Sequence, residues 1–258
     1  MSSILPFRTL VLLAGLLGVG TGTQAQMHWT VDPRASLAWW QMSPHLNHLW
    51  ATTCPEEPSW RPGKGRSGGW STDEGPSPSK TGYQSVGDTV NVPLYPRRTV
   101  RAVCTEAVEG LVLVADTVTW RVLRGAVAVK GKALVTGEDR RDAYARGAIL
   151  HTDWYPEVRF TIDSLVGMTR HADTLRGTAI GVLSLHGVKQ PMTAAIRAWP
   201  EAGGLRVLGK LRVPARALTS EYGFSRLALG IGVVSKIWEY LFMGVDLLLR
   251  PDDPSHNR

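Results

Sequence analysis

The chain has 258 residues, a formal net charge of +7 and only two cysteines, a length suited to one large or two small domains, of which one is the simpler reading. The basic excess favours anionic partners such as lipid phosphates, a membrane surface or nucleic acid. Its residues are scattered, as Arg121, Arg124, Lys130, Lys132, Arg197, Arg206, Lys210 and Arg212 show, which fits a solvated exterior and argues against nucleic acid as a partner.

At the N-terminus Arg8 precedes an apolar run over residues 10–19, and Thr23, Gln24 and Ala25 offer small residues for cleavage. Residues 1–25 therefore read as a signal peptide, the apolar run being too short for a membrane span. The mature chain is expected to be exported, to the periplasm or beyond. In an oxidising compartment Cys54 and Cys104 most simply form a disulfide, and closing a loop of ~50 residues stabilises by roughly 4 kcal/mol on the entropic model. A thiolate ligand or two free thiols stay open as alternatives.

Residues 29–42 read as an opening strand region with Val31, Leu37, Trp39 and Trp40 available for burial. From residue 52 to 86 prolines and glycines interleave, which marks a long loop. Trp60 and Trp70 within it argue against a wholly disordered linker. Short strands are expected over residues 89–94, 99–104 and 111–115. Residues 118–135 carry two longer ones, broken near Arg124-Gly125 or Lys130-Gly131.

The turn chemistry of Thr136, Gly137, Glu138 and Asp139 then stops the β-rich run, and residues 140–149 have the spacing of a short helix or irregular crossover. Tyr155-Pro156 forces an extended entry into a strand over residues 158–165, where Val158, Phe160 and Ile162 alternate with Arg159, Thr161 and Asp163. Residues 175–186 and 192–199 form a hairpin around Gly187, and residues 205–213 continue the meander. Residues 219–230 suggest a helical turn or lid, and residues 238–250 close the sheet. Helical periodicity is nearly absent, so the domain is all-β.

Alternation predicts the two faces. Arg206, Lys210 and Arg212 are expected in water, which places Leu205, Val207, Gly209, Leu211 and Val213 inside. Asp246 and Arg250 mark the outer face of the last strand, leaving Leu241, Met243, Val245, Leu247 and Leu249 inside. By the same rule Met192, Ala194 and Ile196 lie opposite Arg197, and Leu183 and Leu185 opposite Ser184 and His186. A barrel of about eight strands either fills itself or holds one small ligand.

A catalytic centre needs a nucleophile, a base and an orienting group, and such a set cannot be localised. His45 and His48, six residues before Cys54, are the most suggestive metal or haem candidates, although the spacing is loose and Cys54 has a partner in Cys104. His151 and His186 read as polar-face or barrel-mouth residues. The expectation is a protein that is not an enzyme and needs no cofactor or metal.

Thr136-Gly137, Arg141-Asp142, Tyr155-Pro156 with Phe160, and Gly181 with Leu183-Ser184-Leu185-His186-Gly187 occur in this order, and Trp29-Thr30-Val31-Asp32 with Ser36 precedes them. The series resembles the YceI-like family of secreted bacterial proteins. The resemblance spans about residues 118–249 and the opening strand, and fails over residues 44–109. It implies an antiparallel, lipocalin-like barrel with a short helical crossover, carrying here a long Pro/Gly/Trp-rich insertion. It also implies that the interior holds a polyisoprenoid or similar amphiphilic lipid.

The implied lining is Phe160, Ile162, Leu183, Leu185, Met192, Ala194, Ile196, Val207, Gly209, Leu211, Met243, Val245 and Leu247. Gly209 and Ala194 would leave room beside the larger residues. Asp142 is expected to cap the crossover and Arg141 to pair with a carboxylate or carbonyl near the mouth. The organisation is thus a signal peptide over 1–25, a lipid-binding barrel over 26–250 with a divergent insertion over 44–109, and a polar tail over 251–258. Contact with a membrane surface and use of the insertion to bind a partner remain open, and oligomeric state is not readable.

Overall fold

The computed structural model describes residues 27–42, 49–54, 104–114, 121–201, 203–225 and 240–252. Ten strands are described: β1 (Met27–Val31), β2 (Leu37–Met42), β3 (Leu49–Thr52), β4 (Val108–Val114), β5 (Val122–Lys130), β6 (Glu157–His171), β7 (Thr174–Leu185), β8 (Val188–Glu201), β9 (Gly204–Pro214) and β10 (Tyr240–Pro251). Pairing runs antiparallel through β1, β4, β5, β6, β7, β8, β9 and β10, and β10 returns to β1. Eight strands therefore close a barrel. The expected strands over residues 89–94 and 99–104 lie outside the described residues but for Cys104, and the described residues 121–135 hold one strand, β5, which ends before Gly131.

Closure uses a first strand that is interrupted. β1 pairs with the end of β10 through Val31 and Leu249, and β2 pairs further along it through Leu37 and Asp246. Residues 32–36 step out of the ladder between them. The Asp32 amide donates to the Leu248 carbonyl at 2.8 Å, and the Leu248 amide donates to Ser36 Oγ at 2.9 Å. Ser36 is fully buried, so these bonds satisfy backbone groups that would otherwise be orphaned. β2 is extended by β3, whose Thr52 exchanges backbone bonds with Val135 at 3.0 Å in each direction.

The crossover between β5 and β6 is helical, as its spacing suggested, but irregular. A short α-helix α1 (Asp139–Tyr144) runs into one π-helical turn (Ala145–Ile149). Asp142 does not cap α1. It is buried and accepts from the Thr136 amide at 2.8 Å and the Thr136 hydroxyl at 2.6 Å, pinning the preceding turn instead. Arg141 pairs with the Glu138 carboxylate. Beyond β9 a second short helix α2 (Ala215–Ser220) sends Ala217 and Leu218 into the apolar cluster at that end of the barrel.

The outer wall departs from expectation. Arg206 is only 2% exposed. Its Nε and Nη2 donate to Glu201 Oε1 at 3.1 and 2.7 Å, and Nη1 reaches the Ala35 carbonyl at 2.6 Å and Asp246 Oδ1 at 3.3 Å. Asp246 lies on the outer face as expected, yet it too is buried, at 1% exposure. The physical reason is a second apolar layer on this wall. Leu37, Trp39, Trp199, Leu208 and Phe242 cluster there with the Cys54–Cys104 disulfide, whose Cα atoms are 4.9 Å apart. Alternation correctly assigns the face, but at Arg206 and Asp246 this face does not meet water.

Lys210 belongs to the same wall. Its ammonium lies 4.7 Å from the Phe242 ring centroid and 5.6 Å from that of Trp39, an arrangement in which the rings offer cation–π attraction. Burial nevertheless pushes it down from 10.5 to about 7. Between these values the unfolded chain holds a proton that the fold has released, so stability rises with pH through that window. Below it both states are charged and the full cost of burying the ammonium remains.

Two predictions follow from this wall. Arg206→Ala removes the guanidinium that pairs with the buried Asp246 and the half-buried Glu201 and should cost about 3–5 kcal/mol in urea denaturation; a loss below about 1 kcal/mol would show that closure does not rely on it. Lys210→Met should gain melting temperature over the parent most clearly at and below pH 7, with the margin shrinking as pH climbs towards 10. A margin independent of pH would contradict the assignment.

Candidate functional site

Inward-facing positions of β2 and of β5 through β10 line an apolar cavity of about 120 Å3. Since about 10–15 Å3 on such a measure holds one water, the space is several waters large, and an apolar cavity of this kind stays dry or takes an apolar guest. Its wall is built strand by strand. β5 contributes Val127 and Val129, β6 Val158, Phe160 and Ile162, β7 Ala179 and Leu183, and β8 Ala194 and Ile196. Val207, Gly209 and Leu211 come from β9, Met243, Val245 and Leu247 from β10, and Ala38 and Trp40 from β2.

Of the lining residues proposed from sequence, all but Leu185 and Met192 touch this cavity. Those two pack in the neighbouring apolar cluster with Leu218, Tyr222 and Phe224, above the cavity rather than on it. Sequence reasoning missed Ala38, Trp40, Val127, Val129, Leu134 and Ala179. Alternation on β5 could have supplied Val127 and Val129. Trp40 was expected to be buried, but its assignment to the interior depends on the strand break, which has no motif.

Small residues set where the space lies. A side chain at Gly209 would meet Val245 Cγ2 at 3.1 Å, so the glycine leaves room inside. Gly244, one position along on the opposite face, does the converse: a Cβ there would lie 2.2 Å from the Trp39 ring, so only glycine lets Trp39 lie flat on the outer wall. Lys210, Trp39 and Gly244 border the cavity from strands whose side chains at these positions turn outward.

One end of the barrel is capped and carries a cluster of polar and aromatic side chains. The β7–β8 hairpin turns on His186 and Gly187, at φ 52° and 78°, the double left-handed geometry of a two-residue turn. His186 stacks on Phe224 at 4.6 Å and meets Tyr155 at 4.6 Å and His151 at 5.3 Å. Its Nδ1 lies 2.9 Å from the Tyr222 carbonyl, which can only accept, so Nδ1 carries the proton. In the neutral ring Nε2 is then the acceptor, and among the described residues it is buried without a hydrogen-bond partner. The Tyr222 hydroxyl is also buried without one, and burial pushes the phenol up to about 12. His151 and His186 thus occupy the barrel end, as expected of mouth residues.

The remaining candidates resolve simply. Cys54 is consumed by the disulfide to Cys104 and offers no thiolate. His45, His48 and almost all of the insertion, residues 55–103, lie outside the described residues. Among the described residues no group of three or more His, Cys, Asp or Glu side chains is placed to hold a metal ion.

Comparison with solved structures gives distant likenesses. A polyisoprenoid binding domain from Saccharophagus degradans is 11% identical with a TM-score of 0.49, covering 87% of this chain and 98% of that one. BcnA from Burkholderia cenocepacia is 9% identical with a TM-score of 0.49, covering 84% and 98%. The YCEI protein of Campylobacter jejuni is 14% identical with a TM-score of 0.42, covering 65% and 92%. No curated protein matches the chain. A family model described as the YceI-like domain matches residues 85–238, more than half of the sequence, and the chain belongs to that family.

Proposed function

We propose that this protein is an exported, periplasmic or secreted carrier that binds a polyisoprenoid or similar amphiphilic lipid in its barrel and performs no chemistry. The observation that carries the reading is the apolar cavity walled by seven strands. Burial of a tail there is driven by roughly 25 cal/mol per Å2 of apolar surface removed from water, and Met243 adapts to an irregular guest. Membership of the YceI-like family supports a lipid ligand. The disulfide fits an oxidising compartment, and residues 1–25 are proposed as the signal that delivers the chain there.

The cavity suits a short stretch of tail. A longer one would need the cap residues Leu218 and Tyr222 to give way. At that end His186 Nε2 and the Tyr222 hydroxyl offer an acceptor and a donor to a polar head that carries a hydroxyl or phenol. A buried group of this kind left unpaired costs about 1–3 kcal/mol. A bound partner relieves that cost.

The test is native purification followed by organic extraction and mass spectrometry, with a prenyl-type lipid expected in stoichiometric amount. Ala194→Leu, which pushes a larger side chain into the cavity, should lower the extracted amount severalfold while the barrel stays folded. Tyr222→Phe should leave the lipid-free protein equally or more stable and weaken its hold on hydroxylated lipids. Protein that yields no lipid, with Ala194→Leu behaving as the parent, would end this reading.

A further inference from the structure

We propose that Arg176 and Arg197 form a phosphate-binding site on the outer wall of the barrel. The two residues stand directly opposite each other in the pairing of β7 with β8. Such positions hold their Cβ atoms about 4.5–5.5 Å apart, and like charges placed there destabilise a sheet. Among the described residues neither arginine has an ion-pair partner.

Register puts the pair on the outside and explains why water does not relieve it. Ile196, next to Arg197 on β8, lines the cavity, so Arg197 takes the other face. Along that face Arg197 lies between Ala195 and Trp199, and across the sheet on β9 it faces Leu208. All three belong to the outer apolar layer or pack against it. Apolar neighbours thus border the guanidinium on three sides and a like charge stands on the fourth. Its Nη1 is buried and has no hydrogen-bond partner among the described residues. Burial, and then the Arg176 charge, holds this guanidinium below its ordinary range. Arginine does not escape the conflict by giving up its proton. Arg176 is exposed, with Thr169 opposite it on β6, so an anion reaches the pair from that side.

Neighbouring carboxylates leave the two charges unbalanced. Glu201 and Asp246 are held by Arg206. Asp173, in the turn before β7, accepts from the Thr174 hydroxyl at 3.3 Å and forms no ion pair with either arginine. Asp163 precedes Thr169 by six residues, about 20 Å along an extended strand. Lys210, opposite Ala195, brings no negative charge. The chemistry of the pair then selects the ligand. Two guanidiniums present two positive charges and two planar donor forks. A carboxylate has oxygens for one fork, whereas a phosphate dianion has enough for both and matches their charge. A bridging phosphate replaces repulsion across the strands with attraction. The site lies on the far side of the wall from the cavity, so it stands independently of the carrier reading.

The experiment is equilibrium dialysis of the full chain against labelled inorganic phosphate at neutral pH, with ionic strength held fixed by chloride. The parent should bind phosphate, and Arg176→Gln should weaken that binding about tenfold. In phosphate-free chloride buffer Arg176→Gln should melt at or above the temperature of the parent, because the like charge is gone. Flotation with vesicles of phosphatidic acid, against phosphatidylcholine alone, separates the sources of the phosphate. Parent that floats with phosphatidic acid only, and no longer does so as Arg176→Gln, takes its phosphate from a lipid head; parent that ignores both vesicles yet binds inorganic phosphate takes it from a soluble phosphate. A parent that binds no phosphate in either form overturns the proposal. So does Arg176→Gln that binds phosphate like the parent, and so does Arg176→Gln that melts well below the parent in chloride, since Arg176 would then serve the fold.

Discussion

The barrel closes through a strand that is broken in the middle, and one buried guanidinium holds the break. Arg206 grips Glu201 with two nitrogens and spends the third on the carbonyl of Ala35 inside the break and on Asp246 across it. A planar fork can serve three partners in different directions, which a lysine ammonium on a flexible stem does with far less fidelity. Arg34 and Arg250 brace the same stretch from outside, pairing with Glu106 at 2.7 Å and Asp32 at 3.4 Å. The amide of Cys104 donates to the Arg34 carbonyl at 2.9 Å, so the disulfide that clips the insertion at its base is tied to the break as well.

This arrangement explains what the sequence could and could not disclose. Period-two alternation on β6 through β10 is a local property, and it placed Phe160, Ile162, Leu183, Ala194, Leu211 and Val245 on the inner face without reference to any other element. The order of turns placed the hairpin at His186-Gly187 and the irregular crossover before Tyr155. Alternation says which of two faces a residue takes, however, and is silent on what lies beyond that face. Arg206 and Asp246 read as solvated because water is the usual neighbour of an outward charge. Here the neighbours are Trp199, Leu208 and Phe242, brought together by the β8–β9 and β9–β10 pairings, with Leu37 and Trp39 added by the pairing of β2 to β10. The cap had the same difficulty. Asp142 has the position of a helix cap and serves a turn, because a residue type suits both uses and only the fold chooses.

The family match and the strand topology divide the chain differently. The matched residues 85–238 take in β4 through β9, yet β1, β2 and β10, which close the barrel, fall outside them. The resemblance read from the order of motifs took in the opening strand and ran on to residue 249, but it excluded residues 85–109, which the family model includes. Closure is a physical demand that any eight-stranded barrel must meet, and the strands that meet it can drift in sequence as long as their faces are kept.

Keeping those faces is what leaves the cavity open. A strand shifted by one residue exchanges its two sets of side chains, and β2 carries Trp39 and Trp40 in succession, one to each side of the wall. The break at residues 32–36 sets the register, so that Ala38 and Trp40 pair inward with Val245 and Met243 while Trp39 lies outward on Gly244. Moved by one, Trp39 would enter opposite Val245, where Gly209 and Ala38 now leave space, and an indole would occupy the volume beside Leu211 and Leu247. Trp40 would move out opposite Gly244 in the same step. The Arg206 network therefore does more than close the sheet: by holding the step in the first strand it decides which of the two indoles lines the cavity and which lies on the outer wall.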